Sequence, residues 1–147
     1  MTAKTTKLSD AFLAHLFLGT PMPYSAGGLH VALFARDPGE SGAVVDEVAG
    51  GGYARVRVDP SCFGPPGPGI TGEDRQIVNV RDIVFPRPTA NWNESGGAAQ
   101  PIPYFGICSA ATGGDVLYRG PITNPRAVQN GDGEPTFLAG SLAVREG

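Results

Sequence analysis

Apolar residues change their spacing once along this chain. From Leu8 to Phe17 they recur at helical intervals, with Leu8, Phe12, Leu13, Leu16 and Phe17 on one half of a helical wheel. Ser9 can cap the start, Gly19 can stop the end, and Pro21 and Pro23 forbid continuation. The spacing predicts a helix from Ser9 to Leu18 behind a short polar arm. From Leu29 onward the pattern is that of strands. Leu29–Ala35 and Tyr53–Val58 alternate as strands do, and Ile77–Pro86 reads as one strand or two broken near Asn79. Ile102–Ala110 is apolar almost throughout, as in a strand buried on both faces or at a subunit contact. Gly113 and Gly114 then mark a hairpin turn into Asp115–Ile122. Pro135–Glu146 closes the chain as a last strand, with Gly140 at a bulge or a close-approach point. Pro65–Gly69 is excluded from a ladder, because proline lacks the donor.

Short strands with frequent turn signals and no βαβ alternation predict an all-β fold: a single β-sandwich or jelly-roll-like barrel with one short N-terminal helix. The expected division is an arm and helix over residues 1–27 and a β-sandwich over 28–147. The length of 147 residues suits one domain, and 22 Gly with 14 Pro suits many turns. The net charge of −3 comes with no basic patch, so a nucleic-acid partner is not expected. No apolar run approaches the ~20 residues of a membrane span, so neither is a membrane partner. Lys4 and Lys7 ahead of Ala11–Gly19 imitate a signal peptide, but Asp10 and His15 flank or interrupt the run, so secretion is not expected. Cys62 and Cys108 lack metal spacing. They read as reduced, partly buried thiols, with a single bridge between them as the alternative.

The search for catalysis yields no expected catalytic, metal or cofactor-binding residue. Gly50, Gly51 and Gly52 precede a strand and no helix follows, so they are no phosphate loop. They read as a place where the chain turns sharply or meets another backbone. His15 and His30 neighbour neither a cysteine nor a suitably spaced acid. Cys108 and Ser109 have no recognisable base. The acid pairs Asp37/Glu40 and Asp132/Glu134 sit among turn formers, which favour aspartate for local reasons. Trp92, the lone tryptophan, reads as a ring capping the core or filling an interface, with a sugar-stacking platform as the alternative.

The ordered set Leu29–Gly42, Glu47–Val58, Ile83–Trp92, Tyr104–Thr123 and Phe137–Val144 resembles a family of small tailed-bacteriophage virion proteins. They are usually labelled tail fibre protein and are similar in part to capsid decoration (cement) proteins. The resemblance runs over roughly residues 28–145. Its markers are the acidic turn Asp37–Gly42, the Gly51–Arg55 step, the segment Phe85–Trp92, and Phe105-Gly-Ile before Gly113-Gly-Asp. Pro65–Gly69 and Ser95–Pro103 depart from it as insertions. The resemblance implies a virion component made in the host cytoplasm. Its expected partners are the major capsid protein or other virion proteins and further copies of itself, most simply as a homotrimer. A capsid decoration protein is the first reading, a tail fibre or tail-tip component the second, and a small enzyme the third. The chain shows no shaft, so the fibre reading is one of a tip or adaptor. Phe12, Leu16, Phe17, Trp92, Tyr104 and Phe105 are the candidate interface residues.

Overall fold

The computed structural model describes residues 2–146. Its first element is a strand, β1 (Ala3–Lys4), where a free arm was expected. Helix α1 (Thr6–Leu18) follows directly and starts ahead of the expected Ser9 cap. The cause is tertiary. Thr5 is extended and fully buried, its N–H donates to Leu117 O at 2.9 Å, and its hydroxyl donates to Val116 O at 2.6 Å. Thr6 N–H donates to Glu40 O at 2.6 Å, which satisfies one of the donors that a helix start leaves open. The chain then forms β2 (His30–Phe34), β3 (Val56–Arg57), β4 (Gly67–Pro68), β5 (Arg75–Val78) and β6 (Ile83–Val84). Next come β7 (Glu94–Ser95), β8 (Ala98–Ala99), β9 (Tyr104–Cys108), β10 (Val116–Pro121), β11 (Thr136–Phe137) and β12 (Ala143–Glu146).

The principal sheet has five antiparallel strands in the order β1-β10-β9-β2-β3. Strand β9 is its centre, which accounts for the apolar run predicted there. Phe105 and Ile107 join the main core with Val31 and Leu33 of β2. Cys108 lies on the other face with Ala32, Phe34 and Val116. Both faces are therefore buried within one chain, and the run no longer argues for a subunit contact.

Against the main face stand a three-stranded sheet, β12-β5-β4, and the pair β11-β6; β7 and β8 form a separate hairpin. The sheets do not close into a barrel, so the fold is all-β with one short N-terminal helix. Strand β4 corrects the exclusion of Pro65–Gly69. Pro68 pairs with Arg75 at the edge of its sheet, the one place in a ladder where a missing donor is tolerated.

Asn79 is where the second layer divides. Its buried side chain donates to Arg81 O at 2.9 Å and Leu138 O at 3.0 Å and accepts from Leu142 N–H at 2.9 Å. Its carbonyl accepts from Gly140 N–H at 2.7 Å. One residue thus ends β5 before β6 and holds the turn that separates β11 from β12. The expected single strand Pro135–Glu146 is two strands in two sheets, and Gly140 makes a turn there (φ 87°), not a bulge.

Candidate functional site

Helix α1 is docked at one end only. Leu8 is buried in its first turn, and Lys4 reaches over the Phe12 ring with Nζ 5.4 Å from the centroid. Exposure then climbs along the helix: Phe12 37%, Leu13 57%, Leu16 71%, Phe17 78% and Leu18 79%. Gly19 closes the helix in the left-handed region (φ 71°), and His15 Nδ1 lies 2.9 Å from Thr20 O. The chain returns through the prolines, and the Tyr24 hydroxyl donates to Asp115 at 3.0 Å. The apolar stripe read from the sequence is real, but most of it faces outward. Of the six candidate interface residues, Phe12, Leu16 and Phe17 are presented together on this helix.

The other three are not part of that surface. Trp92 is fully buried in the main core, edge-on to Tyr53 with ring centroids 5.3 Å apart. Its Nε1–H donates to Gly51 O at 2.8 Å. It can serve neither as a sugar platform nor as an interface ring. Phe105 is buried in the same core beside Phe137. Tyr104 is half-buried at the start of β9, packed on the second cluster.

The glycine triplet is a close-approach device, as its sequence implied. A Cβ on Gly50 would lie 2.5 Å from the Trp92 ring, and one on Gly52 (φ 82°) would lie 2.6 Å from Arg87 O. Thr89 N–H donates to Gly51 O at 3.0 Å. The triplet lets Ala49–Tyr53 lie against Arg87–Trp92, which delivers the residues that follow to a polar cluster. Arg55 forks onto Glu47 through two bonds of 2.8 Å and caps Ala110 O and Gly113 O at 2.8 Å each. The Tyr53 hydroxyl donates to Glu47 at 2.7 Å and accepts from Leu33 N–H at 3.1 Å. Burial alone would raise the Glu47 carboxyl, but the bonds from Arg55 and Tyr53 outweigh it and hold it below the usual range. Burial, and then the bond to Glu47, push the Tyr53 phenol well above its ordinary value. Every polar group here is committed to another part of the chain, so the cluster stitches the 110–113 turn to β2. Sequence reasoning missed it, although Glu47, Tyr53 and Arg55 flank the triplet that it did single out.

The remaining candidates are likewise engaged. Asp37 pairs with Arg119 at 2.6 Å and accepts from Gly39 N–H at 2.9 Å, while Asp132 accepts from Gln129 N–H at 2.8 Å. His30 Nδ1 lies 3.0 Å from Gly28 O. Cys62 and Cys108 are both free and buried, in different clusters. Burial pushes the Cys108 thiol up to about 11.

A second surface feature opens beside the layer of β5, β11 and β12. A cleft of about 1060 Å³ runs under the irregular segment 122–135. Its floor reaches the core residues Leu33, Phe85, Ile102, Phe105 and Leu142, all of which stay buried. Phe137 and the 63%-exposed Leu138 continue the apolar wall outward, with Arg126 and Arg145 among its polar members. Sequence reasoning missed this cleft too, since residues from many parts of the chain form it.

A β-body with an outward apolar helix and an apolar-rimmed cleft fits an assembly component, and comparison with known families bears on this. Residues 3–145 match the family model described as Podophage GP4 fiber I protein gp80. The chain belongs to this family. It is therefore a bacteriophage virion structural protein. The match begins at the first residue of β1 and ends inside β12, so α1 and every sheet lie within the gp80 family's extent. Pro65–Gly69 and Ser95–Pro103, which departed from the resemblance, also lie inside it, as β4 with its turn and as the segment holding β8. No curated protein matches the sequence.

Proposed function

We propose that this gp80-family protein is a tip or adaptor component of a phage fibre, assembled in the host cytoplasm and joined to its neighbours through the exposed end of α1. The family match over residues 3–145 carries the reading. The helix supports it. Thirteen residues make a helix too short to persist alone in water, and helices of this length normally draw their stability from a packed apolar face. Fully burying a Leu or Phe side chain contributes about 1.5–3 kcal/mol before ordering costs. Repetition of such a contact in a homotrimer would raise the effective concentration of each next one. The protein acts by binding and not by catalysis: its histidines are tied to local carbonyls and its thiols are buried. Its partners are other virion proteins and further copies of itself.

Particles separated into capsids and tails test the location. The protein is expected with the fibre-bearing tail fraction. Recovery with tail-free capsids, in numbers matching the shell lattice, would instead establish a capsid decoration protein.

A further inference from the structure

We infer that the apolar end of α1 from one copy of this chain seats in the core-lined cleft of a second copy, head to tail. This rests on the reading of α1 as the joining element, and it names what the helix joins.

Two features on opposite sides of the bookkeeping call for each other. The helix end offers Leu13, Leu16, Phe17 and Leu18 with nothing over them. The cleft presents the exposed side chains of Ile70 and Leu138 beside the half-buried Phe137, with nothing over them either. Small-molecule sites are typically ~300–1000 Å³, so the cleft, at about 1060 Å³, lies at or beyond their upper end. Two turns of helix, roughly 11 Å long and 10–12 Å across, fill on the order of 1000 Å³. The free part of α1, from Leu13 to Leu18, is roughly 9 Å long and would fill most of the cleft. Charge agrees as well. A helix C-terminus carries partial negative charge on its last carbonyls. The cleft lining contributes Arg126, which forms no ion pair among the described residues, and Arg145, while the acids of the lining, Asp74 and Asp132, already accept hydrogen bonds from Thr71 and Gln129. A small polar ligand would leave the apolar wall wet; an apolar helix end covers it.

The contact joins unlike surfaces, so each copy has one helix to give and one cleft to fill. Such a contact closes into a ring when its rotation permits. It leaves no copy with an uncovered cleft.

The test uses the purified full chain and two variants at exposed positions, Phe17→Asp on the helix and Leu138→Asp on the cleft. Wild type is expected to sediment as a closed oligomer. Each variant alone is expected to weaken association by at least about thirtyfold and run as a folded monomer by circular dichroism. An equimolar mixture should form a dimer and stop there, because one helix and one cleft remain intact. A wild-type monomer at high micromolar concentration overturns the inference, including the case where an oligosaccharide fills the cleft of that monomer. It is overturned equally if Leu138→Asp associates like wild type, or if the mixture stays monomeric, as a helix-to-helix contact would require. The measurement needs no particles. Failure here with the protein present on the fibre leaves the fibre reading intact and removes only this partner. Self-association without a place on the particle does the reverse.

Discussion

At the scale of single residues, the polar cluster around Glu47 and the glycines beside it set the stability of the fold. The Arg55 side chain is only 3% exposed and serves one carboxylate and two carbonyls. Arg55→Ala strands those acceptors and is expected to cost about 3 kcal/mol in denaturant unfolding. Glu47→Gln carries a pH signature. The folded carboxyl lies below its ordinary 4.5, so its contribution is complete above that value and lost as pH falls through the folded pKa. The gap in unfolding free energy between wild type and Glu47→Gln should therefore be widest at neutral pH and shrink in acid. A gap independent of pH would show that the charge on Glu47 is not what the cluster uses. Gly52→Ala meets both a left-handed φ of 82° and a carbonyl 2.6 Å away, and should cost at least about 2 kcal/mol. Both thiols should resist a disulfide reagent at neutral pH until the protein is unfolded. A raised thiol pKa, to about 11 for Cys108, and burial act together against the thiolate.

At the scale of elements, α1 should behave as two halves. Leu8→Ala empties a buried site and is expected to lower stability by about 2–3 kcal/mol. Leu16→Asp, on a side chain 71% exposed, should leave thermal unfolding of the monomer, measured at a dilution where the chain is dissociated, within about 0.5 kcal/mol of wild type. Equal losses from the two would mean that the outer half is packed on its own body. The elements also show what the sequence could tell. The strand at Tyr104–Cys108, the hairpin at Gly113–Gly114 and the close approach at the glycine triplet were legible, because each rests on local chemistry or on burial of both faces. The start of α1 was not, because a distant carbonyl of Glu40 and the buried Thr5 set it, and no local cap does. The split of Pro135–Glu146 was not legible either. It depends on Asn79, some sixty residues away, whose only mark in sequence was a polar side chain inside an apolar run. The same limit applies to Trp92 and Phe105. Aromatic residues read alike whether a core or a partner covers them, and only the fold assigned these two to the core.

At the scale of the whole molecule, one body holds two unfinished surfaces: a helix end with no cover and a cleft with an exposed apolar rim at Ile70 and Leu138. The N-terminal strand, the C-terminal strand and β10 are tied together by Lys4, Glu146 and Tyr118, so the base of α1 is fixed to the sheets. Burial, and then the bond to Glu146, raise the Tyr118 phenol, so its hydroxyl stays a neutral donor in this tie. A helix held so firmly at its base is suited to transmit load to whatever grips its tip. Cryo-electron microscopy of the intact particle tests this most directly. The account predicts density for this chain on the fibre, with Leu16 and Phe17 enclosed by a neighbouring subunit. Density that places the chain on the particle with the end of α1 standing free in solvent would contradict it.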